Sequence, residues 1–248
     1  MASPSSGNSP RNPPPRFATP RSNRETLGAE AAAVLARSGP RSPQRPGREL
    51  LPVMPWQREA LDLICEIDPR TGLFWYRTFI MVCLRQTGKT TMIRGKLNHR
   101  ALIQREARML YTAQDRNKGR QRLEETIYNP LAASMLGSKL LKPRWAAGSE
   151  AVRWRNGSTL RTESLSPTSG HGDTLDEGHI DEAFAHRDNR VEQNVKPTMS
   201  TVEGAQMGIW SAAGDTNSSY LWRKVEQGRA LALARTTTNR TCYLEYSA

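Results

Sequence analysis

The chain has 248 residues, enough for one domain with a sizeable core plus an appendage, and carries a formal net charge of +12. That excess favours a polyanionic partner, nucleic acid first, and it is uneven: residues 1–50 hold eight arginines against Glu25, Glu30 and Glu49. No apolar run approaches the ~18 residues of a membrane span, no signal-peptide core opens the chain, and Cys65, Cys83 and Cys242 have neither zinc nor disulfide spacing, so a membrane protein and a disulfide scaffold are excluded and a cytoplasmic setting is expected.

Residues 1–50 are rich in Pro, Ser, Gly and Arg and are expected to form a largely disordered basic arm, broken by a short helix near 24–37 that Gly39-Pro40 ends. Residues 51–248 form the expected globular domain. Trp56 to Ile67 has the apolar spacing of an amphipathic helix, Asp68 to Gly72 a turn, and Leu73 to Val82 a strand. A second helix is expected over Thr91–Gln104, a strand over Arg108–Ala113, and a charged helix from Asp115 to Tyr128 that stops near Asn129-Pro130. Ala151–Arg155 and Ser158–Thr162 alternate across Asn156-Gly157, a strong hairpin signal. After a Gly/Ser/His loop at 166–172 come a polar strand over Thr174–Ile180, an apolar strand over Gln206–Ala212, a helix over Tyr220–Ala234 and a last strand over Thr241–Tyr246. Strands alternating with helices predict an α/β fold with a mostly parallel sheet flanked by helices and one inserted β-hairpin.

The stretch Arg85-Gln86-Thr87-Gly88-Lys89-Thr90-Thr91 lies between a strand and a helix, the setting a phosphate cradle requires. Backbone N–H groups and the positive end of the helix would wrap phosphate oxygens, Lys89 would reach the β/γ-phosphates, and the Thr90 hydroxyl would bind Mg²⁺. The full pattern wants glycine six residues before the lysine, where Cys83 stands. Hydrolysis also needs a carboxylate for the metal and one to orient water. Asp181 and Glu182 supply both, and the apolar Ala183-Phe184-Ala185 following them suggests a helix start. Asp176-Glu177 is a rival pair, because Leu175 to Ile180 is far less apolar than a central strand should be. Gln57 could read an adenine edge, and Ser211, ending the next strand, could sense the γ-phosphate. The four histidines show no metal spacing and are expected to be non-ligands.

In this order these motifs resemble the ATPase domain of the large terminase subunit of tailed bacteriophages, a DNA-packaging motor with a P-loop NTPase (ASCE-type) fold. The resemblance runs from Pro55-Trp56-Gln57 through Tyr76-Arg77-Thr78, Arg85 to Thr90 and Ile180-Asp181-Glu182-Ala183 to Ser211-Ala212-Ala213-Gly214-Asp215, and such terminases often carry Arg-Gln ahead of Gly-Lys-Thr. It implies ATP and Mg²⁺ as cofactors, with Gln57 on adenine, Arg85, Gln86, Thr87, Gly88, Lys89, Thr90 and Thr91 around the phosphates, Thr90 and Asp181 on the metal, Glu182 as catalytic carboxylate and Ser211 in coupling. It further implies double-stranded DNA, a portal protein and a small terminase subunit as partners, a homo-oligomeric ring on the portal, no membrane, and action in the cytoplasm of an infected bacterium rather than in the mature virion. The family's nuclease domain is absent from the chain, so DNA cleavage by the chain alone is not expected. The competing readings are a non-catalytic basic DNA-binding or assembly protein, such as a degenerate prophage remnant, and another P-loop helicase or translocase.

Overall fold

The computed structural model describes residues 14–39, 53–113, 116–162, 174–214 and 216–246. The loop expected at 166–172 and residues 1–13 and 40–50 of the basic arm lie outside them. The described strands form one eight-stranded sheet in the order β1-β8-β2-β7-β6-β3-β5-β4. These are β1 (Phe17–Ala18), β2 (Thr78–Cys83), β3 (Arg108–Thr112), β4 (Ala151–Arg153), β5 (Thr159–Thr162), β6 (Glu177–Ile180), β7 (Gln206–Ser211) and β8 (Thr241–Tyr246). From β8 to β5 neighbouring strands run parallel, and only the edge strands β1 and β4 pair antiparallel. Helices cover both faces of the parallel part from β8 to β3, as buried parallel strands require. On one face lie α1 (Gly28–Arg37), α2 (Pro55–Ile64), α3 (Lys89–Ile103) and the α4 (Arg116–Arg122) to α5 (Asn129–Ala132) segment; on the other lie α6 (Arg190–Met199) and α7 (Ser219–Leu233).

Four local expectations are corrected. The helix near 24–37 is α1, but it is not set apart in an arm: Ala31, Ala32 and Leu35 join the core, and Leu35 lies against Gly95 of α3 so closely that a Cβ there would stand 2.7 Å from it. β1 likewise extends the sheet beside β8. The helix expected to stop at Asn129-Pro130 instead continues through a π-helical turn, Leu123–Tyr128, into α5, the widened turn making room for the proline ring. Ala183–Ala185 makes one 3₁₀ turn, and the true helix is α6, whose Val191, Val195 and Met199 share one buried stripe despite Pro197.

The polar strand before the acidic pair is β6, and every residue of it is buried. Two-residue periodicity places Glu177, His179 and Asp181 on one face, toward α3. The Lys96 ammonium donates to both Glu177 carboxylate oxygens at 2.9 and 2.8 Å, and Arg100 Nε donates to Oε2 at 2.7 Å. Trp210 Nε1–H donates to His179 Nδ1, so the neutral ring carries its proton on Nε2 and donates it to Glu177 in a 2.7 Å bond. Burial opposes a charge on Glu177, but Lys96 and Arg100 outweigh it and hold the carboxyl well below its usual range. On the opposite face Gly178 lets α6 approach; a Cβ would meet Val195 at 2.9 Å.

Glu177→Gln would leave Lys96, 0% exposed, without its counter-charge. A loss of about 3–5 kcal/mol is expected in urea unfolding; a loss below about 1 kcal/mol would show that the carboxylate does not hold the network. His99 is fully buried on α3, and desolvation lowers its pKa from 6.5 to about 3. Its neutral ring therefore stabilises the fold fully above pH 6.5, and that contribution is lost as the pH falls toward 3. Between pH 7 and pH 5 this amounts to about 2 kcal/mol. Urea melts at both pH values should show His99→Leu losing less by that amount, and an equal loss in both proteins would contradict it.

Candidate nucleotide-binding site

The loop between β2 and α3 is built by its backbone. Gln86 has φ 61° and Gly88 φ 96°, turning the chain so that α3 begins at Lys89. Gly88 suits this left-handed conformation, and a Cβ would also meet Gln57 Nε2 at 2.8 Å. Thr87 Oγ1 donates to the Leu84 carbonyl at 2.8 Å, closing the loop on itself. A cavity of about 420 Å³ opens above it, lined among others by Arg85, Gln86, Gly88, Lys89, Thr90 and Thr91. Arg122, Glu182, Phe184 and Ala212 form its far wall.

Asp181 follows the last residue of β6 and is buried. Lys89 Nζ lies 2.7 Å from its Oδ1, while the Tyr111 hydroxyl and an Arg122 guanidinium nitrogen each donate to Oδ2 at 2.9 Å. Burial disfavours its charge, yet Lys89, Tyr111 and Arg122 together lower its pKa from the ordinary value. Glu182 adopts a left-handed conformation, φ 55°, uncommon for a residue with a side chain and frequent where a site dictates the backbone. Its N–H donates to Asp181 Oδ1 at 2.8 Å, and its carboxylate meets the second fork of Arg122. Ser211, at the end of β7, accepts the Phe184 N–H at 3.1 Å, which ties β7 to the backbone just after the acidic pair. Arg85 lies over the Phe184 ring at 5.4 Å from its centroid.

The structure thus brings Arg85, Gln86, Gly88, Lys89, Thr90, Thr91 and Glu182 to one cavity, with Asp181 and Ser211 directly behind its wall. Gln57 does not join them. It is 4% exposed and braces the loop from beneath, its oxygen accepting the Met54 N–H at 3.0 Å and its nitrogen donating to the Gly88 carbonyl at 3.2 Å. The rival pair is also resolved. Asp176 binds the Arg108 N–H and Gln104, and Glu177 is enclosed by α3, both at the end of β6 away from the cavity. Arg122 escaped the sequence reading because it lies in a charged helix and is one of 36 basic residues in the chain; only the packing of α4 selects it. Among the described residues no group of three or more His, Cys, Asp or Glu side chains that could hold a metal ion occurs.

The family model for the N-terminal part of the T4likevirus-type terminase large subunit matches residues 81–217, more than half of the chain and all of this site. The chain belongs to that family. Its fold is similar to that of the HK97 bacteriophage large terminase, with a TM-score of 0.68 at 13% identity over 89% of this chain. It is also similar to the large terminase of a thermophilic bacteriophage, with a TM-score of 0.50 at 16% identity over 79% of this chain. The chain spans 43% and 44% of the length of those two terminases, and at such identities the likeness is one of fold. No curated protein matches the sequence. No helix among the described residues is long and apolar enough to cross a membrane.

Gln57→Ala should cost about 1–3 kcal/mol in urea unfolding, because the Met54 N–H and the Gly88 carbonyl lose their partner. An unchanged melt would remove Gln57 from the support of the loop.

Proposed function

We propose that this terminase domain hydrolyses ATP with Mg²⁺ and uses the cycle to drive double-stranded viral DNA into a procapsid. The observation that carries the reading is the meeting of Lys89 and Asp181 at 2.7 Å, with Glu182 beside them in the wall of the same cavity. It joins the three side chains that phosphate binding, metal binding and water activation need.

In this reading the loop N–H groups and the start of α3 receive the β- and γ-phosphates. Lys89 exchanges its contact with Asp181 for phosphate oxygens, and Arg85 adds a second positive charge. The hydroxyl of Thr90 and the carboxylate of Asp181 are hard oxygen donors suited to Mg²⁺, whose charge when bound offsets that of the phosphates. Glu182 orients and polarises the attacking water. Ser211, bonded to the chain just after Glu182, relays the state of that loop to β7 and α7. Portal protein, small terminase subunit and further copies of this chain in a ring are the partners that belong to such a motor, and the cytoplasm of an infected bacterium is its place of work.

The purified chain should hydrolyse ATP with Mg²⁺, faster with duplex DNA. Lys89→Ala should abolish turnover, whereas Glu182→Gln should lower it by about 10²-fold or more while still binding ATP. Undiminished turnover in Glu182→Gln would refute the carboxylate assignment, and absence of both binding and hydrolysis in the wild type would refute the motor reading.

A further inference from the structure

Beyond β3 the described residues dress the sheet on one face. Leu160 of β5 and Val152 of β4, with Trp154 and Leu140 beside them, pack into the core that Leu123, Ile127 and Leu131 close. The helices α6 and α7 cover the opposite face at β2, β7 and β6. Along β5 and β4 that second face is exposed at Arg155 and Arg161.

Residues 139–144 run antiparallel along β4, through bonds from Leu141 N to Arg153 O, Arg155 N to Lys139 O and Arg144 N to Ala151 O. With Leu140 paired to Trp154 on the core side, Lys139, Arg153 and Arg155 turn the other way. Lys139, Lys142, Arg144 and Arg155 are exposed. The guanidinium groups of Arg153 and Arg155 are steadied by carbonyls, Arg153 on that of Lys142 at 2.9 Å and Arg155 on that of Ser138 at 2.8 Å. A carbonyl positions a guanidinium but brings it no counter-charge. Lys139 and Arg155 face each other across one ladder, a like-charge pairing that is unfavourable by itself.

We propose that this basic face, formed by β4 and the 139–144 segment paired to it, is the surface that holds the phosphodiester backbone of duplex DNA. The inference rests on the reading of the chain as a DNA-packaging motor and gives that motor a contact surface. The face offers lysine and arginine cations, which pair with phosphates whatever the sequence. It therefore grips phosphates without regard to sequence, as a translocating motor must.

The test is the binding of the full chain to a fluorescent duplex across a salt series. Lys139→Gln/Lys142→Gln/Arg144→Gln removes three exposed cations, and the slope of log K against log salt should fall by about 2.7. Arg155→Gln alone should lower it by about 0.9 and serves if the triple variant fails to fold. As a charge-matched control, Arg58→Gln/Arg70→Gln/Arg190→Gln, all exposed and on other elements, should leave the slope nearly unchanged. An unchanged slope in the hairpin variants, an equal fall in the control, or a wild type that binds no duplex overturns the proposal. So does tighter binding of polyglutamate through the same cations, which would assign the face to an acidic protein. ATP hydrolysis without DNA, measured on the same proteins, keeps the two readings apart: turnover with no DNA effect sinks the surface alone, and a DNA effect without turnover sinks the hydrolysis.

Discussion

The ladder of ion pairs between α3 and β6 is the contact on which the site depends. Lys89 opens α3, and Lys96 lies seven residues further along it, about 10.5 Å at helical rise. On β6 the matching partners, Asp181 and Glu177, are four residues apart, about 13 Å at strand rise. Because helix and strand run in opposite senses, the start of the helix meets the end of the strand, and both pairs close together. Arg100 then adds a second cation to Glu177, and His179 links the same carboxylate to Trp210 of β7. The loop between β2 and α3, the acidic pair and the strand that carries it are thereby held in one frame by buried charges with few alternative partners.

Such a frame is costly to bury, and the surrounding packing keeps it satisfied. Phe74 lies against both Lys96 and Arg100, 4.6 and 4.5 Å from its centroid, and Arg100 also donates to the Gly204 carbonyl. Phe79 meets His179 and Trp210 edge-on, and Gly208 leaves the space that ring needs. Removing a charge from the ladder therefore leaves its partner stranded where no water reaches. At its open end the ladder changes character. Lys89 and Arg122 are partly exposed, Glu182 sits in a left-handed conformation, and these are the groups that can exchange partners with a ligand.

Much of the fold was legible in the chain. β8 lies over the expected residues, β3, β7, α3 and α7 differ from expectation at their ends, and β2 begins at Thr78 where the strand was expected from Leu73. The Asn156-Gly157 hairpin formed because glycine takes φ 90° there. β6 was read with misgiving because a central strand is expected to be apolar; its polarity becomes intelligible only when α3 supplies Lys96 and Arg100. α6 was overlooked because its stripe of three apolar residues is diluted by charges and Pro197.

The loop and its lysine were determined by the sequence, with two acidic pairs left as candidates, since a strand, a glycine-bearing turn and a helix start are local features that need no distant partner. Choosing between the two acidic pairs was a matter of tertiary structure, because they occupy opposite ends of one strand and only packing shows which end faces the loop. The same holds for Gln57, turned beneath the loop by its bonds to Met54 and Gly88, and for Arg122, one arginine among many until α4 brings it to the carboxylates. Identity and spacing along a chain can specify which groups are available; which of them meet is fixed by contacts between residues far apart in sequence.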